Sequence, residues 1–167
     1  MVARAAFAVG LIGTLGAGLA WAGPLEDGLA AYSRGDYASA MTLLRPLADQ
    51  ANPRAQNQLG VMYQLGNGVA ENQQEAFRWY HLAAEQGLPE AAFNTGGLYY
   101  RGQGVLQDYL HAHMWINLAA SLLTGDGARG AIQIRDEIAT KMTPAQIADA
   151  QAAGRACRAA DFKNCDR

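Results

Sequence analysis

The stretches YQLGNGVAENQ (residues 63–73) and YYRGQGVLQDY (residues 99–109) carry tyrosine, two glycines and valine at the same places, 36 residues apart. Aligning residues 55–90 with 91–126 without gaps gives eleven identical pairs. A fixed period of about 20 to 50 residues is typical of stacked repeats, in which one unit cannot bury its apolar face alone. The sequence therefore predicts an all-α fold, an α-solenoid of stacked antiparallel helical hairpins. The identical pairs are Ala55/Ala91, Gly60/Gly96, Tyr63/Tyr99, Gly66/Gly102, Gly68/Gly104, Val69/Val105, Ala76/Ala112, Trp79/Trp115, Leu82/Leu118, Ala83/Ala119 and Ala84/Ala120.

Start and stop signals divide the middle unit into two helices. Asn52 can cap a helix whose first position is Pro53, where the missing N–H costs nothing. Gly66 ends that helix, because glycine tolerates the left-handed backbone found at helix C-termini. Asn72 caps the second helix, and Glu75 three residues on predicts a capping box. Each unit is therefore predicted to be a helical hairpin.

A third, shorter copy precedes these two units. The predicted caps of the three second helices, Asp36, Asn72 and Asp108, lie 36 residues apart, and all accept hydrogen bonds from free helix N–H groups. Pro46 is predicted to kink the second helix of the first unit, because it removes a backbone hydrogen bond. The predicted unit boundaries are about 25–54, 55–90 and 91–126.

Four aromatic residues recur at fixed repeat positions: Tyr63 with Tyr99, and Trp79 with Trp115. The tryptophan pair could stack on a ligand. Recurrence at the repeat spacing favours the repeat core instead, where such rings supply much of the buried apolar area.

The repeat fades after the third unit, and residues 127–167 are predicted to form a C-terminal capping helical pair and a tail. The Gly-Asp-Gly run at residues 125–127 predicts a turn. Thr143 predicts a helix cap, with Pro144 at the first helical position and Gln146 completing a capping box. An atypical last pair is what a solenoid needs to close its exposed end.

The two cysteines, Cys157 and Cys165, lie close together at the end of the chain. In an oxidising compartment an even count predicts a disulfide. On one continuous helix the two residues would be about 12 Å apart, too far to bond. The last helix must therefore end between them, and residues 161–164 are the predicted place. A redox or metal role is the alternative, but there is no CxxC spacing and no nearby histidine to support it.

Residues 1–22 have the pattern of a cleaved secretory signal. A positive charge is followed by an apolar run and by Ala20-Trp21-Ala22, with small residues at both ends of the triplet. We expect cleavage after Ala22, a mature chain that begins near Gly23, and a periplasmic or secreted protein. An uncleaved anchor is the alternative, but the apolar run is short and glycine-rich for a membrane span, so no membrane insertion is expected after cleavage.

Charge and motifs argue against several functional classes. The formal net charge is −2, and neither lysine clusters with arginine, so no nucleic-acid surface is expected. Ser33, Ser39 and Ser121 lie in neither an S-x-x-K nor a G-x-S-x-G motif, and HExxH and P-loop motifs are absent from the sequence. His111 and His113 are two residues apart and point in different directions on a helix. We therefore expect a non-enzyme with no catalytic residue, no bound metal and no cofactor.

The spacing of these residues resembles the Sel-1-like repeat, a relative of the tetratricopeptide repeat. The resemblance is clearest in AQNQLGVMYQLGNGVAENQQEAFRWYHLAAEQG (residues 55–87), and MTPAQIADAQ (residues 142–151) is similar to the tail that follows such repeats in bacterial members. The resemblance implies a right-handed α-solenoid whose concave side binds another protein. It also implies an adaptor or scaffold in the bacterial cell envelope.

One helix face is the predicted partner surface. If the first helices line the concave side, residues opposite the Ala55–Leu59–Tyr63 stripe should meet the partner. Phenylalanine, tyrosine and arginine on such a face are typical interface anchors. The alternative is that the aromatic residues pack against neighbouring helices, because a stacked helix is contacted on more than one side. The candidate partner-binding residues are Asn57, Gln58, Val61, Phe93, Asn94, Tyr100 and Arg101.

Two other functions remain open. Some cysteine-rich relatives bind or hydrolyse β-lactams, which gives a cell-wall-active hydrolase or β-lactam-binding protein as one alternative. Those relatives carry a cysteine pair in each repeat, whereas this chain has none within its repeats. A self-assembling structural protein is the other alternative. The leading expectation is an unidentified protein partner bound by a monomer or weak oligomer.

Overall fold

The computed structural model describes residues 23–163, 165 and 166, and the predicted signal peptide at residues 1–22 lies outside them. Regular structure in the described part consists of eight α-helices, with no strand. The prediction of an all-α fold is confirmed. The helices are α1 (Pro24–Ser33), α2 (Tyr37–Asp49), α3 (Pro53–Leu65), α4 (Gln73–Ala84), α5 (Pro89–Arg101), α6 (Tyr109–Leu122), α7 (Gly125–Ala139) and α8 (Pro144–Ala159).

The helices pack mainly on their neighbours along the chain. Helix α1 packs on α2, α3 on α4 and α5 on α6, and the second helix of each hairpin also packs on the first helix of the next. Contacts restricted to adjacent units are the defining property of a solenoid. Helices α7 and α8 both pack against α6 and do not form a hairpin with each other in the way the earlier units do. They close the C-terminal end of the stack together.

The three predicted caps are present at the starts of α2, α4 and α6. The side chains of Asp36, Asn72 and Asp108 each accept a hydrogen bond from a backbone N–H of the first turn. The capping box predicted at Asn72 is wrong in its second half. The Glu75 carboxylate bonds Arg78 at 2.8 Å and no return bond to Asn72 is formed. An opposite charge three residues on the same face is the stronger partner.

One further detail differs from the expectations. The turn predicted at residues 125–127 is wrong, because α7 begins at Gly125 and the chain reverses just before it. Helix α2 continues through Pro46 to Asp49. Pro46 has no N–H to donate to the carbonyl of Thr42, and the kink expected there stays a prediction. The capping box at Thr143 forms as predicted, with both reciprocal bonds to Gln146.

The repeated Gly-x-Gly turn has two physical roles. Its first glycine caps α3 and α5 with φ values of 69° and 65°, the left-handed region that glycine tolerates. Its second glycine lies against the preceding hairpin. A Cβ on Gly68 would lie 2.8 Å from the Cβ of Tyr37, and one on Gly104 would overlap the carbonyl of Gln73. Tyr37 and Gln73 are 36 residues apart, so both units make the same contact.

The repeated aromatic residues lie in the core. Trp79 is 2 % exposed and Trp115 fully buried. Tyr99 is buried with Trp115, and Tyr63 is partly buried against the cluster that contains Trp79. The small repeated residues let the helices approach closely around these rings.

The C-terminal tail folds back onto the stack. Helix α8 ends at Ala159, and Cys157 and Cys165 form a disulfide with Cα atoms 4.8 Å apart. The disulfide thus forms in the way the spacing predicted, with the helix ending between the two cysteines. The Phe162 ring lies against Gly87, where an added Cβ would be 3.1 Å away. None of the described helices is both long and apolar enough to cross a membrane.

Candidate functional site

A groove runs along the side formed by the first helices. It consists of two adjoining depressions of about 230 and 340 Å³, and Glu90 lines both of them. The groove therefore extends from the first hairpin to the C-terminal end of the stack. We define the groove by its lining residues, Leu29, Arg54, Asn57, Gln58, Leu88, Glu90, Phe93, Asn94, Leu123, Gly127 and Gly130.

Four of the seven predicted partner-binding residues lie in this groove. Asn57 and Gln58 line the first depression, and Phe93 and Asn94 line the second. The side-chain amide of Asn94 donates to Oδ1 of Asn57 at 3.1 Å, which joins the two depressions with a polar bridge. The structure thus brings together in one groove four of the seven residues of the face that the helix period predicted.

The other three predicted residues lie elsewhere. Val61 packs against the core cluster that contains Tyr80. The hydroxyl of Tyr100 donates to Glu137 Oε1 at 2.6 Å and ties α5 to α7. Arg101 is exposed and its Nε donates to Gln103 at 2.6 Å. Tyr100 and Arg101 follow Phe93 and Asn94 by seven residues, so they lie on the same face of α5 but about 10 Å farther along its axis, beyond the groove.

The groove contains a polar group without a partner. Within the described residues, Nε2 of Gln58 is buried and makes no hydrogen bond. Buried amide donors are nearly always paired in folded proteins, so an unpaired one marks a place where an acceptor is expected. Arg54 and Glu90 line the same depression as Gln58 and supply charges of both signs. The two residues occupy the same position in successive repeats.

Sequence reasoning missed the apolar lining of the groove. Leu88 and Leu123 lie at or just before the first turns of α5 and α7, outside the periodic stripe that was used to find the face. Arg54 and Glu90 could have been found, because their 36-residue spacing places them together at the starts of α3 and α5.

A second site is built around the carboxylate of Asp166, which contacts α4, α5 and α6. Asp166 Oδ2 lies 2.7 Å from His81 Nε2 and accepts a hydrogen bond from the Tyr99 hydroxyl at 2.6 Å. Asp166 Oδ1 accepts from Trp115 Nε1 at 2.8 Å. These three donors come from α4, α5 and α6. We call them the second cradle, because a corresponding set of residues, described below as the first cradle, lies one repeat earlier in the chain. Sequence reasoning missed this site, because Asp166 is 85 residues from its histidine partner.

The electrostatics of the second cradle favour an ion pair. Burial alone lowers the pKa of His81, but Asp166 and, to a smaller extent, Glu85 outweigh it and raise the pKa overall. Burial alone raises the pKa of Asp166, but its hydrogen bonds and the charge of His81 lower it overall. Opposite shifts are expected when each partner stabilises the charged form of the other.

The remaining candidates for chemistry have structural partners. Ser33 and Ser121 donate to backbone carbonyls within their own helices, and His111 bonds the helix cap Asp108. His113 is the exception: it is buried, its Nδ1 makes no hydrogen bond within the described residues, and burial is the main cause of its lowered pKa. No group of three or more histidine, cysteine, aspartate or glutamate residues in the described part is arranged to hold a metal ion.

Comparisons with known proteins match the repeat and the fold. The Sel1 repeat matches twice, at residues 53–88 and 89–122. A protective antigen of uropathogenic Escherichia coli strains, which displays an SLR fold, is 29% identical with a TM-score of 0.71; the match covers 77% of this chain and 28% of that one. A Sel1 repeat protein from Oxalobacter formigenes is 36% identical with a TM-score of 0.58; the match covers 62% of this chain and 43% of that one.

The chain therefore spans less than half the length of each of these two solved proteins. No curated protein matches it. The fold agrees with both solved structures, and each matched range contains one helical hairpin, α3–α4 in the first and α5–α6 in the second. The chain contains two Sel1 repeats and has the helical-hairpin solenoid fold of Sel1-repeat proteins.

Proposed function

We propose that the chain is a protein-interaction module that acts outside the cytoplasm and binds an extended segment of a protein partner in the groove. Sel1 repeats are typically protein-interaction modules. The extracytoplasmic location is supported by the signal-like pattern of residues 1–22 and by the disulfide, which is stable in oxidising compartments. A periplasmic or secreted protein would meet both conditions.

The observation that carries the proposal is the row of amides across the groove. Asn57, Gln58 and Asn94 lie on neighbouring first helices, and Gln58 Nε2 is a buried donor without a partner in the described residues. A side-chain amide offers both a donor and an acceptor, which matches the backbone of an extended peptide. Apolar side chains of the partner would contact Phe93 and the leucines of the lining.

The groove also suggests the composition of the bound segment. Arg54 and Glu90 place one charge of each sign beside the amides, and Arg54 is already bonded to Glu26 at 3.1 Å. A partner segment with alternating polar and apolar residues and little net charge would fit this lining. Nothing in the lining favours the hydrolase alternative, because the serines lie outside it.

Site-specific photocrosslinking tests the proposal. A photoreactive residue at Phe93 is compared with one at Gln151, an exposed position on α8 that does not line the groove. The expected result is a partner that is captured from Phe93 and not from Gln151. Replacing Asn57 and Asn94 together with alanine should reduce this capture about tenfold, because two hydrogen bonds are lost.

Three outcomes would contradict the groove proposal. Equal capture from Phe93 and Gln151 would mean that the groove has no special role. Unchanged capture by the double alanine variant, with unchanged helicity, would remove the amides from the interface. Recovery of only the chain itself would favour the self-assembling alternative.

A further inference from the structure

Each residue of the second cradle has a counterpart one repeat earlier in the chain. The counterpart of its histidine is an arginine, and the tyrosine and tryptophan are the same. Even the neighbouring acid is repeated: Arg45 Nε bonds Asp49 at 3.1 Å, and His81 Nδ1 faces Glu85 at 3.7 Å. We call this earlier set the first cradle, which consists of Arg45, Tyr63 and Trp79.

The two cradles differ in one respect. In the second, Trp115 Nε1 donates to the carboxylate of Asp166 at 2.8 Å. In the first, Trp79 is 2 % exposed, and its Nε1 is buried without a hydrogen-bond partner in the described residues. An unpaired buried donor costs free energy, and within the described residues only a few buried side-chain atoms are left in this state. The first cradle therefore has the donors of the second and lacks its acceptor.

The arginine makes the first cradle the more strongly positive of the two. The guanidinium carbon of Arg45 lies 5.3 Å from the centre of the Trp79 ring, and its Nη1 lies 3.5 Å from the Tyr63 hydroxyl. Asp49 accepts a hydrogen bond only from Nε of Arg45, and 44 % of the Arg45 side chain is exposed. A guanidinium carries five N–H donors and stays charged, so N–H groups of Arg45 that Asp49 does not use remain for an incoming carboxylate.

One acidic residue of the chain lies near the unpaired indole. The hydrogen bond and charge of Arg78 are the main cause of the lowered pKa of Glu75, and the charge of Arg45 and the Trp79 indole lower this pKa to a smaller extent. Glu75 bonds Arg78 with both carboxylate oxygens and leaves Trp79 Nε1 without a hydrogen bond. Glu75 thus faces the indole without filling the place that Asp166 fills in the second cradle.

We propose that the first cradle is a binding site for a carboxylate, supplied by an aspartate or glutamate side chain of a protein partner. The carboxylate accepts from Trp79 Nε1 and the Tyr63 hydroxyl and pairs with Arg45, as Asp166 does with the corresponding donors of the second cradle. Charge-assisted hydrogen bonds of this kind are the strong ones. The site lies between α2, α3 and α4 and uses no residue of the groove.

The indole N–H signals of the ¹⁵N-labelled chain provide a direct test. Trp79→Phe and Trp115→Phe assign the signals. The probe is acetyl-Gly-Asp-Gly-amide, and the matched control peptide contains Asn in place of Asp. The Asp peptide should move the Trp79 signal with a dissociation constant on the order of 1 mM, and the Trp115 signal should stay in place. The Asn peptide should bind at least about tenfold more weakly.

Variants separate the first cradle from general charge effects and from the groove. Arg45→Gln should weaken the titration at least about tenfold. Arg54→Gln, which removes the same charge at the groove, should leave it unchanged. The Asn57/Asn94 double alanine variant should also leave it unchanged, so that failure of either proposal can be told from failure of the other. Circular dichroism checks that each variant keeps its helicity.

Several results would overturn the proposal. These are a Trp79 signal that does not move with the Asp peptide, an equal response to the Asn peptide, and equal effects of the two arginine variants. A fourth is that Glu75→Gln alone moves the Trp79 signal as far as the peptide does in the unaltered chain. That result would mean that Glu75 fills the first cradle in solution.

Discussion

Replacing Asp166 with alanine removes one carboxylate and changes the environment of three buried or partly buried side chains. His81 loses its nearest counter-charge, at 2.7 Å, and the Tyr99 hydroxyl and Trp115 Nε1 lose their acceptor, at 2.6 and 2.8 Å. The tail itself stays attached through its disulfide to Cys157. The variant therefore tests the carboxylate and leaves the chain connectivity unchanged.

The expected loss of stability follows from these contacts. A hydrogen bond to a charged group contributes about 1.5–3 kcal/mol, and a buried donor left unpaired costs about 1–3 kcal/mol. Water can replace part of this, because the Asp166 side chain is 22% exposed and that of His81 20%. The freed tail residues also regain conformational entropy. We expect a net loss of about 2–3 kcal/mol, or about 5–10 °C in Tm.

Urea unfolding of the oxidised chain measures the difference. Lys163→Ala is the control, because Lys163 lies exposed on the same tail and does not have a positive φ, and it should change stability by less than about 0.5 kcal/mol. Asp166→Asn keeps an acceptor and should fall between the two. If the alanine variants at the two positions unfold at the same urea concentration, the three hydrogen bonds contribute nothing and the reasoning is wrong.

Three further predictions concern pH, the disulfide and the repeat turn. The stability difference between the unaltered chain and Asp166→Asn should be largest between pH 3.8 and 6.5, the unperturbed pKa values. It should shrink as pH falls through the lowered pKa of the aspartate and as pH rises through the raised pKa of its histidine, which urea midpoints across pH would measure. Replacing Cys157 and Cys165 with serine should cost about 2–3 kcal/mol by the loop-closure estimate, and equal urea midpoints of the oxidised and serine forms would contradict it. Gly104→Ala should lower the free energy of unfolding by more than about 2 kcal/mol, because its Cβ meets the backbone of the preceding hairpin. Gly125 has a similar φ but open space around it, so Gly125→Ala should lower this free energy by only about 1 kcal/mol in the same urea measurement.

The parts of the fold that depend on nearby residues could be predicted from the sequence. Helix caps such as Asp36 and Asp108 bond the first turn of their own helix, so local residue types determine them. The capping box at Glu75 was wrong for an equally local reason, because Arg78 competes for the same carboxylate. The turn at Gly125 was wrong because a glycine can also begin a helix.

The sites depend on more distant contacts and were predicted less well. The helix period placed Asn57 and Asn94 on one face, and the structure bonds them to each other. The same period says nothing about where the face ends, so Tyr100 was included although it bonds α7. The second cradle depends on a tail that returns to α6 from 51 residues away, and no periodic signal records that return.

The tail also limits how many cradles the chain can fill with a carboxylate of its own. It is tethered at Cys157, next to α6, and it reaches the one cradle formed by α4, α5 and α6. Inserting a further copy of residues 55–90 would add a tyrosine, a tryptophan and a cation at the same spacing, but no second tail. The single tail can therefore supply a carboxylate to only one cradle, while each duplicated unit would add a cradle whose donors have no acceptor from the tail.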